Sequence, residues 1–75
     1  MDASLLNRIT IEAGKCGGKP CIRGMRIRVS DILEMMGDGV SMEQILADFP
    51  DLEREDIVAS LQFVARRGDI VRLAT

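Results

Sequence analysis

Hydrophobic periodicity changes once along this sequence, close to Ser30, and the change divides the chain into two parts that fold by different rules. Before it, apolar residues recur at every second position. Residues 8–12, Arg-Ile-Thr-Ile-Glu, alternate polar with β-branched side chains, which predicts a half-buried strand with Ile9 and Ile11 inward. A glycine-rich loop follows, Gly14-Lys-Cys-Gly-Gly-Lys-Pro20, then a short extended piece from Cys21 that breaks at Gly24. Residues 26–29, Arg-Ile-Arg-Val, alternate again, with Ile27 and Val29 predicted inward and Arg26 and Arg28 outward. No two-residue turn of the usual hairpin kind sets the register of this small β element.

From Ser30 onward the period is that of a helix. Ser30 is the predicted N-cap of a first helix whose apolar face is Val29, Ile32, Leu33 and Met36, and which stops at Gly37 and Gly39. Ser41-Met-Glu-Gln44 has the capping-box pattern and opens a second helix with Met42, Ile45, Leu46 and Phe49 on its apolar face. Pro50 ends it. The third and longest helix begins in the acidic run 51–56, where negative charge suits the helix dipole. With Glu53 at its cap, Leu52 and Ile57 form a hydrophobic staple. Its predicted inward stripe is Ile57, Leu61, Val64 and Ala65, leaving Val58, Ala59 and Phe63 as extra apolar surface. Arg66 and Arg67 suit the last turn, and Gly68 is the predicted stop.

The fold class that follows is mainly α with a small β element: short N-terminal strands, then a three-helix bundle resembling a helix-turn-helix or homeodomain. All of 1–75 reads as one domain, with the β segment and loop at 8–29, the bundle at 30–68 and a tail at 69–75.

A chain of 75 residues buries only about 60% of the surface its unfolded form exposes. Yet 47% of this one is hydrophobic and its mean hydropathy is +0.10. That excess over a small core points to a homodimer. There is no His, so no Ser–His or Cys–His pair can form and no side chain titrates near neutrality without a strong shift. The expectation is a non-enzymatic protein without cofactor or metal. Cys16 and Cys21 make a single C-x4-C pair, which cannot complete a four-ligand zinc site within one chain and reads as two free thiols in a reducing cytosol. No apolar run reaches the ~20 residues of a membrane span, and the start carries no leader pattern, so a soluble cytoplasmic protein is expected.

Charge is unevenly spread. Residues 1–29 carry a net +4 and residues 30–75 a net −6. Two surfaces for two partners would explain this, as would the basic half of one subunit lying on the acidic half of another. The basic segment makes Lys19, Arg23, Arg26 and Arg28 candidate DNA contacts, since a two-fold dimer doubles such a strand into a β-ribbon. The plainer reading is a solvated strand face, or arginines paired with the acidic helices. Helix three has helix-turn-helix spacing, but its N-terminal part offers Arg54 among Glu53, Glu55 and Asp56, a field that repels phosphate. The glycine loop is one residue short of a phosphate-binding P-loop, has Pro20 where the hydroxyl belongs, and lies between strands. Met36 and Met42 read as core, and Met35 as core or partner surface. The spare surface of helix three and the tail nominate Val58, Gln62, Phe63, Ile70 and Arg72 as partner-binding residues.

Three stretches together, Gly17-Gly-Lys-Pro-Cys-Ile-Arg-Gly-Met-Arg-Ile27, Asp38-Gly-Val-Ser-Met-Glu-Gln-Ile45 and Phe49-Pro-Asp-Leu-Glu-Arg-Glu-Asp-Ile57, resemble the bacterial domain-of-unknown-function 433 family over about residues 8–66. The family's Gly-Thr-Arg-Ile-Pro-Val stretch is Gly24-Met-Arg-Ile-Arg-Val29 here, with Met25 and Arg28 departing from it, and its usual Thr or Ser cap of helix three is Glu53. The resemblance implies a VapB-like antitoxin, paired with a PIN-like ribonuclease toxin and repressing its own operon by binding operator DNA. A stand-alone dimeric DNA-binding regulator and an interaction subunit that binds no DNA are the alternatives. An arginine inserted into the toxin's carboxylate-lined metal site would compete with its cations, and Arg72 is the tail's candidate for that.

Overall fold

A computed structural model describes residues 3–67. The chain starts with a 3-10 helix, Ala3–Arg8, and continues directly into a two-residue strand β1, Ile9–Thr10. A second strand, β2, Cys21–Ile22, pairs with it antiparallel, Ile9 opposite Ile22 and Thr10 opposite Cys21. Cys21 also bridges Arg28 on its other side, so three extended pieces lie together. Helices α1 (Val29–Gly37), α2 (Met42–Asp48) and α3 (Arg54–Arg67) follow, a mainly helical chain with a small N-terminal β element, as the period change implied.

The register of β2 is set by a turn that the sequence reading did not identify. Arg23 and Gly24 both have positive φ, 44° and 71°, and the Met25 N–H donates to the Ile22 carbonyl at 2.7 Å. Positive φ at both central positions is the signature of a primed turn, whose twist matches that of the strands it joins. The Ile22 N–H itself donates to Ile27 O at 2.9 Å, and two residues further out the Val29 N–H donates to Pro20 O at 3.0 Å.

The strand predicted at 8–12 is therefore shorter than alternation suggested. Arg8 closes the 3-10 helix, and the chain leaves the sheet after Thr10. Ile11, expected inward, is 61% exposed, because alternation places side chains only while the ladder continues. The first helix also starts two residues early. Its N-cap is Arg28, not Ser30, and the reciprocal carboxylate is Asp31, which accepts the Arg28 backbone N–H at 3.2 Å. At the far end Gly39, with φ 91°, lets the Val40 N–H reach back to Met35 O and its own N–H to Met36 O, each at 3.0 Å, which is a Schellman closure. Ser41 caps α2 as expected, accepting the Gln44 N–H at 3.1 Å, while the Gln44 side chain reaches forward to Asp48. Residues 49–53 connect α2 to α3 in the helix-turn-helix manner.

The core gathers around Ile22, Val29, Ile32, Ile45, Leu52 and Ile57, so the predicted staple of Leu52 with Ile57 sits inside it. Met25, Met35, Met36, Met42 and Phe63 pack partly buried against the same cluster. The buried face of α3 is rotated from the predicted stripe. Asp56, Ile57, Ala59 and Ser60 are buried, whereas Leu61 is 40% exposed and Ala65 is exposed. The cause is that α3 is covered from two sides, by the two other helices and by the 3-10 helix and β1, so two adjoining faces are inside. Arg67 is the last residue described. Gly68, Ile70, Arg72 and the tail 69–75 lie outside the described residues.

Candidate functional site

The third position of α3 supplies the most heavily bonded side chain among the described residues. Asp56 has no solvent exposure, and its carboxylate accepts four hydrogen bonds. Arg23 donates through Nε to Oδ1 at 3.0 Å and through Nη2 to Oδ2 at 2.8 Å. Arg8 Nη1 donates to Oδ1 at 3.0 Å, and the Glu53 backbone N–H to Oδ2 at 2.8 Å. Arg23 reaches Asp51 O at 2.8 Å as well, and Arg8 reaches Glu53 Oε1 at 2.7 Å. Burial alone would push the Asp56 carboxyl up. The bonds from Arg23, the Glu53 amide and Arg8 outweigh it and hold the group below the ordinary carboxylate range. A carboxylate with both oxygens doubly satisfied has no free lone pair to act as a base. It is an anchor that ties the N-terminal 3-10 helix and the β2 turn to the start of α3.

This anchor relocates several candidate DNA contacts. Arg23 is spent on Asp56. Arg28 forms a fork with Asp31, with Nη2 to Oδ1 at 2.8 Å and Nε to Oδ2 at 3.2 Å. That bond, against the cost of partial burial, draws the Asp31 carboxyl below its ordinary range. Arg54 lies against the Met42 sulfur at 2.9 Å and Glu43 at 3.5 Å. Lys19 and Arg26 are exposed and, among the described residues, make no ion pair. Arg26 shares a groove of about 270 Å3 with Asp31, Glu34 and Asp38. The basic and acidic halves of the sequence thus lie on each other within one chain.

A second groove, of about 250 Å3, is mostly apolar. Pro20, Val29, Leu33, Phe63 and Val64 line it, with Lys19 and Ser30 at its polar positions. It lies where the glycine loop, the start of α1 and the later turns of α3 meet. Of the candidate partner residues, Phe63 belongs to this groove. Val58 and Gln62 are half-buried elsewhere on α3, and the Gln62 Oε1 is buried with no hydrogen-bond partner among the described residues. Ile70 and Arg72 fall outside the described residues. No group of three or more metal-ligating side chains occurs among the described residues, and no described helix is long and apolar enough to cross a membrane.

Sequence reasoning missed the Arg8–Asp56–Arg23 anchor. One signal for it was present: with Glu53 at the cap, Asp56 is at the third helical position, where a carboxylate reaches back to the cap amide.

The profile of the family described as protein of unknown function (DUF433) matches residues 9–64. The crystal structure of a DUF433 member protein from Anabaena variabilis ATCC 29413 is similar to this chain at 30% sequence identity with a TM-score of 0.80, covering 95% of this chain and 70% of that one. No curated protein matches.

Proposed function

The chain belongs to the DUF433 family, and from that membership we propose that it is a non-enzymatic protein-interaction subunit of the antitoxin kind, which neutralises a PIN-like ribonuclease toxin. The observation that supports this reading over DNA recognition is the fate of the cations. Arg23, Arg28 and Arg54, three of the five candidate DNA contacts, are already bonded within the chain. Arg26 stands beside three carboxylates. Phosphate binding draws most of its affinity from unpaired cations, and this face offers few. The open apolar groove at Leu33, Phe63 and Val64 suits a protein side chain instead. The function works through a homodimer, for which the exposed Ile11 and Leu61 supply apolar surface.

Pull-down of the tagged chain from its native cell, followed by co-expression with any PIN-like ribonuclease recovered, tests the proposal. The expected result is a stoichiometric complex without ribonuclease activity, weakened by Leu33→Ala or Phe63→Ala in variants whose circular dichroism is unchanged. Recovery of the chain alone, as a dimer that shifts operator DNA with a steep salt dependence, would replace this reading by that of a stand-alone regulator.

A further inference from the structure

Arg23 and Arg28, on either side of Arg26 in sequence, are both paired within the chain, but Arg26 is exposed and makes no ion pair among the described residues. Yet it shares its groove of about 270 Å3 with three carboxylates. Asp31 is already held by Arg28. Glu34 and Asp38 are exposed, and neither belongs to an ion pair among the described residues. Spaced three and four residues apart, the acids run in a line along one side of α1. Half-buried Ile27, Met35 and Phe49 complete the groove with apolar surface. A patch with an unpaired cation, unpaired carboxylates and apolar side chains beside them is complementary to itself after a half-turn. That is the condition for isologous contact, in which one patch meets its own copy.

We propose that this groove is the contact between two copies of the chain, related by a two-fold axis, with Arg26 of each subunit set on Glu34 and Asp38 of the other. The inference rests on the homodimer of the proposed function and gives that dimer its contact face. A uniformly basic or acidic partner would satisfy one sign in the groove and repel the other, whereas a second copy brings both signs to their complements. The guanidinium of Arg26 carries enough donors to serve both carboxylates at once. Closing the contact also takes Ile27, Met35 and Phe49 out of water, apolar burial that a chain of this size cannot complete alone. An apolar centre with a charged rim is the usual anatomy of such interfaces, and Arg is enriched in them. The contact shares no lining residue with the groove at Leu33, Phe63 and Val64, so the dimer leaves that groove to a protein partner.

The experiment is sedimentation equilibrium of the full chain with interference detection, over a range of protein and salt concentrations. The expected wild-type result is a monomer–dimer equilibrium whose dissociation constant rises with ionic strength. Arg26→Glu, and separately the double variant Glu34→Arg/Asp38→Arg, place like charges opposite each other twice per dimer. Each is expected to raise the dissociation constant about a hundredfold. Mixing the two variants is expected to restore the dimer as a one-to-one heterodimer, since both contacts then join opposite charges again, and that recovery also shows that both variants fold. A wild-type dimer that both variants leave intact would put the contact on another face, overturning the inference while the homodimer stands. A wild-type chain that stays monomeric at every concentration would overturn both. Failure of the mixed variants to dimerise would also overturn the reciprocal pairing.

Discussion

Arg23 and Asp56, 33 residues apart in sequence, meet in a bidentate pair in which both carboxylate oxygens and two guanidinium nitrogens take part, at 3.0 and 2.8 Å. Arg23 makes this pair from a left-handed backbone, at φ 44°, so the turn and the ion pair support each other. Arg8 completes the set from the N-terminal helix. The layer carrying the β turn is therefore bound to α3 by charge as well as by the apolar cluster.

Removing the acid leaves Arg23 without its carboxylate and Arg8 with Glu53 alone, and it breaks the tie between the N-terminal layer and α3. Asp56→Asn is expected to lower unfolding free energy by about 3–5 kcal/mol, a large share of what a domain this small possesses. Arg23→Ala, which leaves Arg8 on the carboxylate, costs less, and the double variant costs less than the sum of the two. Urea denaturation of the four proteins checks the cycle.

Acid weakens the same contact. Asp56 and Asp31 are both more acidic in the folded protein than in the unfolded chain. The unfolded chain consequently binds protons first as pH falls. The stabilisation is present in full above the ordinary carboxylate value of about 4 and is lost as pH falls further, through the depressed folded values. Melting temperature measured down a pH series at fixed ionic strength is expected to fall below pH ~4. In Asp56→Asn that fall is shallower.

The primed turn constrains Gly24. A β-carbon there would lie 3.3 Å from Glu12 Oε2 on a backbone at φ 71°. Gly24→Ala is expected to cost about 1–2 kcal/mol from the left-handed conformation alone. Gly37→Ala, in a helical position with nothing within 4 Å, is the contrasting control and is expected to be neutral or stabilising. Paired thermal melts separate the two.

At the start of α2, Ser41→Ala removes the acceptor of the Gln44 N–H and is expected to cost about 1 kcal/mol. Hydrogen exchange at the amides of α2 reads the loss locally, where Ser41→Asp restores protection.

Helix existence and most helix ends were legible in the sequence, because caps and stops act over three or four residues. Ser41 caps α2, Pro50 follows its end, Gly39 closes α1, and Leu52 and Ile57 form the staple, all from local pattern. Alternation was less reliable: Ile9 keeps its place, but Ile11 lies beyond a strand only two residues long. The helical wheel of α3 named Ile57 and Val64 correctly, but Leu61 and Ala65 wrongly as inward and Ala59 wrongly as outward, since a wheel assumes one buried face and α3 has two. The candidate cations were found by composition, yet Arg23, Arg28 and Arg54 have intrachain partners.

What the sequence by itself determined is where the chain changes period, where α2 and α3 begin and α1 and α2 stop, and that a small apolar core must hold three helices to a β element. Which charges neutralise one another was decided only by the tertiary structure. Glu53, Glu55 and Asp56 look alike in a linear reading, but only Asp56 is turned beneath the N-terminal layer, between Arg8 and Arg23. Caps and periodicity depend on neighbours a helical turn away. An ion pair spanning 33 or 48 residues depends on how whole layers come together, and its strength on the water they exclude.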